Sequence, residues 1–331
     1  MALSCWGPVS SAPSKARQSD LMATDFDPKK IAIIGAGPVG CVLAAGFSRA
    51  GLEVTLCDVV ESLLAPARDP GIYVEGAATM HGKVARTIIS IDDLASEHPD
   101  LIFVTAKATA LPLISSAIES FHKPGTYVIS WQNGIDTELE LAEHLGAKWV
   151  LRAVVNFGVM LSEPCRVNMA FHHPPHWLQE LDSESGAVAQ VICELLGKVG
   201  LPTNHATRLI DQVWQKSILN ASIGPICAVS GKTMSQAMHD PFLREMIENL
   251  VKEGIRVARA NELNLGWDYF RDSIKYLAAT GDHKPSMLVD VENKRMTEIE
   301  YINSKIAAYG DIAGVDAPYN KMIRALVKAL E

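Results

Sequence analysis

Residues 29–59 read KKIAIIGAGPVGCVLAAGFSRAGLEVTLCDV. Residues 31–34 are a short apolar, β-branched run, the mark of a buried strand. Gly35, Gly37 and Gly40 follow at G-x-G-x-x-G spacing, and residues 39–50 form an amphipathic helical pattern stopped by Gly51. Residues 53–57 are the next strand, which ends on Asp58, 18 residues after Gly40. Three glycines alone are a weak signal. Between a strand and a helix, with an acid closing the following strand, they predict a dinucleotide-binding turn. Gly35 permits the tight turn, Gly37 lets the backbone approach a pyrophosphate, and Gly40 lets helix and strand pack closely. Pro38 and Val39 open the helix, whose N-terminus offers free N–H groups and a positive dipole end. Asp58 stands where a ribose 2′-hydroxyl would be held and where a 2′-phosphate would be repelled, which favours NAD(H) over NADP(H). Residues 59–61 supply no arginine, and Arg68 is the nearest. The competing reading of Asp58 is a turn cap.

Outward from this unit, "DLIFVTAK" and "GTYVISWQNG" are two more β runs, with a helical segment over 110–121 between them. Alternating strands and helices predict a Rossmann-type, doubly wound parallel sheet. "GIYVEG" and "GKVARTI" read as a hairpin, and residues 149–171 as additional strands. From Leu209 onward the pattern is almost entirely helical. The expected division is an extension over 1–29, a dinucleotide-binding α/β domain over 30–206 and an all-helical domain over 207–331.

The chain of 331 residues is 48% hydrophobic and 21% charged, with a formal net charge of −8. That composition supports two ordinary globular cores and disfavours a nucleic-acid partner. No apolar run approaches the roughly 18 residues of a membrane span. The six cysteines are scattered without a CxxC pair, as reduced, buried small hydrophobes would be. The cytoplasm is the expected location. Residues 1–21 are rich in Ser, Ala and Pro; they read as an extension, with an organelle transit segment as the alternative. "FHHPPH" holds His172, His173 and His176 without an accompanying cysteine or acid cluster, and reads as stiff surface structure rather than a metal site.

Polar residues mark the strand ends, where ligands bind in open α/β sheets. Lys107 follows "LIFVTA" and suits an anion, with a solvated loop lysine as the plain alternative. Asn133 follows "YVISWQ" and precedes Gly134, in a turn-forming pair. Further on, "DQVWQKSILNASIGP" is an apolar helix that carries Lys216 and Asn220 four residues apart, on one face.

These blocks together resemble the ketopantoate reductase family (2-dehydropantoate 2-reductases) over about residues 30–330. "GAGPVG", "VTAKA", "QNG", "KSILN" and "PSMLVDVENKRMTEIEYIN" occur in the family's order. The last is the most specific, with Ser286 twelve residues before Glu298. The resemblance implies that Lys216 protonates the substrate carbonyl as hydride arrives. Glu298 binds the substrate's hydroxyl side and fixes the lysine, and Asn133, Asn220 and Ser286 position substrate and cofactor. The chemistry agrees: hydride addition builds charge on oxygen, and an ammonium stabilises and protonates it. Glu298 is expected on a neighbouring helix, paired with Lys216. With the glycine loop and Asn133 in the first domain and Lys216, Ser286 and Glu298 in the second, a cleft site is expected.

Three departures from the family pattern matter. Asp58 replaces the arginine or neutral residue of NADP(H) users. Gly224 replaces a second asparagine before proline. "ATA" after Lys107 lacks a frequent glutamine. The last two remove polar groups from the substrate region. The reading is a 2-oxo acid reductase using a nicotinamide cofactor, with ketopantoate as the first substrate. NAD(H) is favoured, NADP(H) is the family's alternative, and the assembly allowed for is a homodimer. An NAD-dependent 2-hydroxyacid dehydrogenase acting on another 2-oxo acid is the runner-up. A non-catalytic dinucleotide sensor would need the loop but neither Lys216 nor Glu298. The β-hydroxyacid dehydrogenase group shares the domain plan but not "TEIEYIN".

Overall fold

The computed structural model describes residues 25–331. The transit-segment reading, over 1–21, and the extension reading up to residue 24 fall outside the described residues. The remainder of the expected extension, 25–29, packs on the first unit: Phe26 lies edge-on to Tyr127 with ring centroids 5.2 Å apart, and the Lys29 amide donates to Asp100 at 2.8 Å. The chain divides into two compact units, one ending at Leu209 and one comprising 133–135 and everything from Ile210.

The first unit runs β1 (Lys30–Ile34), α1 (Pro38–Arg49), β2 (Glu53–Cys57), α2 (Glu61–Leu64), β3 (Ile72–Gly76), β4 (Met80–Gly82), β5 (Arg86–Ile88), α3 (Leu94–Glu97), β6 (Leu101–Val104), α4 (Leu111–Glu119), β7 (Tyr127–Ser130), α5 (Thr137–Leu145), β8 (Val150–Val154), β9 (Phe157–Glu163), β10 (Arg166–His172), β11 (His176–Glu180), α6 (Gly186–Lys198) and β12 (Thr203–His205). The main sheet has the order β12-β11-β8-β7-β6-β1-β2-β5. All its pairs are parallel except β11 with β8. Its central strands are buried on both faces, so they read as continuous apolar runs rather than alternating ones. A second sheet, β4-β3-β10-β9, packs against α1.

The expected hairpin is only half present. β3 does pair antiparallel with β4, but Arg86–Ile88 of "GKVARTI" leaves it and adds to the main sheet, parallel to β2. Two short runs with a turn between them carry no information about which sheet each one joins. The five described cysteines are all free and buried.

The second unit is helical: α7 (Leu209–Ser230), α8 (Met234–His239), α9 (Pro241–Ala260), α10 (Tyr269–Ala279), α11 (Ser286–Glu292), α12 (Asn303–Ile312) and α13 (Pro318–Lys328). α7 is its buried axis. Trp214 is fully enclosed and meets Tyr309 of α12 edge-on at 5.2 Å. A Cβ on Gly254 of α9 would stand 2.9 Å from Ile218, so glycine sets the approach of α9 to α7. Among the described residues no helix is long and apolar enough to cross a membrane.

The stretch carrying Ser286 and Glu298 is not one helix. α11 ends at Glu292 in a Schellman turn: Lys294 is left-handed at φ 53°, its N–H donates to Val291 C=O at 3.0 Å, and the Arg295 N–H donates to Asp290 C=O at 2.9 Å. Glu298 therefore sits in the turn before α12, not on a helix as expected. The apolar spacing continued through the break, but the backbone reversal at Lys294 ended the helix.

Candidate active site

In the first unit the site is made of backbone. Gly35 has φ 111°, and a Cβ there would lie 2.5 Å from the Ala106 N. A Cβ on Gly40 would lie 1.9 Å from the Gly35 carbonyl oxygen, so no other residue lets α1 start this close to the loop. Around Gly37, by contrast, a Cβ would meet nothing within 4 Å. Gly37 is the N-cap of α1, with no side-chain cap, and Pro38 occupies the first turn. An open backbone cradle at an uncapped helix N-terminus fits a pyrophosphate.

Asp58, half-buried at the end of β2, does something the motif did not announce. One carboxylate oxygen accepts the Ala36 N–H at 2.7 Å and the other the Val60 N–H at 2.9 Å. It ties the glycine loop to β2 and caps its own turn. Each carboxylate oxygen has a second lone pair, so this does not exclude a ribose hydroxyl. Val59 and Val60 beside it are exposed apolar residues.

At the ends of β6 and β7 the two polar segments are held by buried side chains. The Gln132 amide donates to the Ala106 carbonyl at 2.8 Å, fixing the backbone before the half-buried Lys107. Arg152 of β8, 2% exposed, donates to Ser130 Oγ at 2.8 Å and to Thr137 Oγ1, and lies 3.5 Å from the Glu138 carboxylate. These contacts clamp the chain on both sides of the Asn133-Gly134 turn.

Asn133 groups with the helical unit rather than with the first domain, where its strand had put it. Gly134 has φ 107°, and a Cβ there would lie 2.9 Å from Tyr301 Cβ. The Ile135 N–H donates to the Tyr301 carbonyl at 2.8 Å, and the Tyr301 N–H to the Glu298 carbonyl at 3.0 Å. Asn133 and Glu298 thus belong to two turns bonded to each other. Glu298 is 9% exposed, and the Glu331 carboxylate anchors its turn by accepting from the Thr297 N–H at 2.8 Å and hydroxyl at 2.6 Å.

Lys216 and Asn220 are half-buried on one face of α7, as expected. One turn further along that face, a Cβ on Gly224 would stand 3.6 Å from Met287 Cβ. Met287 follows Ser286, which opens α11 with an exposed side chain. The Asn303 amide donates to the Ala221 carbonyl at 3.0 Å, joining the residue after Asn220 to the helix that follows the Glu298 turn. The helical unit therefore brings the segments of Asn133, Asn220, Ser286 and Glu298 against one another. Asn303 and Gln132 were not singled out in the sequence, since a lone amide in an apolar stretch carries no spacing signal.

Residues 31–183 match the ketopantoate reductase PanE/ApbA family, and residues 208–331 match its C-terminal domain. The chain belongs to the ketopantoate reductase family. It is an oxidoreductase of that family, with the family's parallel-sheet unit and helical C-terminal region. The 2-dehydropantoate 2-reductase of Pyrococcus horikoshii is 28% identical, over 91% of this chain and 97% of its own length. That of Archaeoglobus fulgidus is 26% identical, over 92% and 98%. D-mandelate dehydrogenase, solved with NADH and anilino(oxo)acetate, superposes with a TM-score of 0.81 at 25% identity, over 91% of this chain and 97% of its own.

The histidines of "FHHPPH" are not all at the surface. His176 is fully buried; its Nδ1 accepts the Asn156 N–H at 3.0 Å, and its Nε2 lies 3.1 Å from His172 Nε2. His176 opens β11, a strand inside the main sheet, which the two prolines before it concealed.

Proposed function

We propose that this ketopantoate reductase family member reduces a 2-oxo acid to its 2-hydroxy acid, with ketopantoate as the first substrate and NADH as the preferred donor. The observation that carries the reading is the meeting of the Asn133, Asn220, Ser286 and Glu298 segments within the helical unit, whose α7 also carries Lys216. A bound nicotinamide dinucleotide supplies the hydride. Gly37, Val39 and Gly40 would hold its pyrophosphate with backbone N–H groups, in a turn that Gly35 and Pro38 shape, Asp58 would take the ribose, and Lys107 would meet an anionic group. Lys216 stabilises the developing alkoxide and gives it a proton. Glu298 keeps that ammonium charged and binds the substrate's hydroxyl side. Asn133, Asn220 and Ser286 orient the substrate by hydrogen bonds. A non-catalytic sensor has no use for Lys216 and Glu298.

A second reading is favoured by one observation. Gly224 continues the face of Lys216 and Asn220 but offers only backbone, against the apolar Met287. A substrate with an apolar substituent suits that lining better than a hydroxyl-bearing one, and the D-mandelate dehydrogenase likeness agrees. The deciding experiment is a panel of 2-oxo acids, with ketopantoate and an aryl 2-oxo acid included, assayed with NADH and with NADPH. Turnover of none of them removes the reductase reading. The assembly proposed is a homodimer in the cytoplasm, with light scattering as the check on its mass.

A further inference from the structure

Pro225 lies inside α7. A helical carbonyl takes its hydrogen bond from the N–H four residues on, and proline has none. The carbonyl so deprived is that of Ala221, a residue 2% exposed. A buried carbonyl without a donor is costly, and here the donor comes from outside the helix. Asn303, fully buried at the start of α12, places its Nδ2 3.0 Å from the Ala221 oxygen. Its second N–H goes to Asn320 Oδ1 at 2.9 Å. Asn320 in turn donates to the Glu253 carboxylate from both its backbone and its side chain, at 2.7 Å each. Tyr319 adds a third N–H to the same carboxylate at 3.1 Å. A continuous buried chain therefore runs from a carboxylate on α9 to the gap that Pro225 opens in α7.

The orientation of the Asn303 amide is settled by its neighbours. Both groups that its nitrogen meets are acceptors, so a flipped amide would set oxygen against oxygen. In the orientation present, Asn303 Oδ1 is buried with no hydrogen-bond partner. Asn303 thus serves here as a double donor. A buried polar network of this kind can fix the register of the segments that it joins.

The register in question involves two segments of the site. Ala221 follows Asn220 on α7, and Asn303 follows the turn that holds Glu298. We propose that Asn303 is a positioning residue for the reductase chemistry, tying the Pro225-freed carbonyl beside Asn220 to the turn that carries Glu298. The proposal rests on the roles given above to Lys216, Asn220 and Glu298.

The test is a double-mutant cycle on the full chain with Asn303→Ala and Pro225→Ala, reading Tm, kcat, KM and the dinucleotide Kd, with the 2-oxo acid turned over fastest in the panel. Asn303→Ala should lower Tm and reduce kcat by roughly 10–100-fold, as small misplacements of reacting groups do, while leaving the dinucleotide Kd unchanged. Adding Pro225→Ala restores a backbone N–H to the Ala221 carbonyl. The double variant should then recover part of the lost Tm but stay about tenfold or more below Pro225→Ala alone in kcat. If Asn303→Ala does not fold, that last comparison carries the test. Recovery of kcat along with Tm, or an Asn303→Ala kcat close to wild type, overturns the proposal. Lys216→Ala run in parallel separates the two levels. If it loses turnover while Asn303→Ala keeps it, only the positioning role fails; if it keeps turnover, the site reading fails as well.

Discussion

The glycine loop and the helical cluster are two ways to build a candidate site, each within its own unit. The loop offers backbone, from one strand-turn-helix-strand unit, and its Gly35 and Gly40 are present for space and conformation. The proposed cluster draws its side chains from segments separated by long stretches of chain: Asn133, Lys216 with Asn220, Ser286 and Glu298. The first kind of site is encoded in spacing, so it is readable wherever the spacing is kept. The second is encoded in tertiary structure, and its residues look like isolated polar exceptions in apolar elements. Sequence drift should accordingly touch them differently. In the loop, Gly35 and Gly40 have no alternative, since a Cβ on either would strike backbone. On α7, Gly224 has room for a small side chain, and it is one of the three departures from the family pattern, the others being Asp58 and the residues after Lys107.

The comparison breaks most visibly at Lys216. If the chemistry belongs to the helical unit, Lys216→Ala should cost about 10²–10⁴-fold in kcat, the usual worth of a general acid, with dinucleotide affinity unchanged. Fluorescence titration with NADH next to steady-state rates would check both halves. Turnover near wild type would remove the lysine from the mechanism. Glu298→Gln should follow at roughly 10–100-fold in kcat/KM, because it weakens both the placement of Lys216 and the hold on substrate. An equal loss of dinucleotide affinity would blur the division of labour between the two units.

How much of this was legible depended on what each residue had to specify. The parallel sheet, α1 and the helical second half followed from periodicity and turn residues, which are local properties. The path of "GKVARTI" did not, because strand pairing is decided by sheet edges distant in sequence. Glu298 was identified through the family resemblance, yet its helix was not real: Lys294 takes a left-handed conformation that apolar spacing cannot report. The turn cap of Asp58 was legible, but its bond from the Ala36 N–H was not, since that depends on the closeness of β1 and β2. His176 looked like loop because two prolines precede it, and its burial follows from a strand that begins immediately after them.

Cofactor choice sharpens the comparison from the loop side. Asp58→Arg should narrow or invert a preference for NADH over NADPH, measured as the ratio of kcat/KM values, and leave the order of preferred 2-oxo acids unchanged. The bond from the Ala36 N–H adds a second expectation, because losing it loosens the loop for either dinucleotide. The variant should therefore bind NADH worse by more than it binds NADPH better. A wild-type preference for NADPH would return Asp58 to its structural role alone.

The smallest expected effect separates pH dependence of stability from pH dependence of rate. His176 Nδ1 accepts the Asn156 N–H, so in the neutral ring the proton sits on Nε2 and points at His172 Nε2, 3.1 Å away. His172 must then be an acceptor, and a proton added to its Nε2 would set donor against donor. Burial, with neighbouring His173 as a smaller contribution, holds the His172 pKa below the ordinary histidine value. An unfolded histidine titrates near about 6.5, so below that pH the unfolded chain takes up a proton that the native chain resists. Stability from this pair is therefore complete above that range, and it is lost as pH falls from the unfolded value toward the depressed native one. Thermal melts at pH 5.5 and 7.5 should show wild type losing more Tm in acid than His172→Gln, whose side-chain oxygen can accept from His176 without titrating. Identical losses would mean that the pair carries no proton linkage. If Lys216 donates the proton, as proposed, the pH–rate profile should be the same in both proteins; a profile that moves with His172 would place part of the chemistry in the first unit.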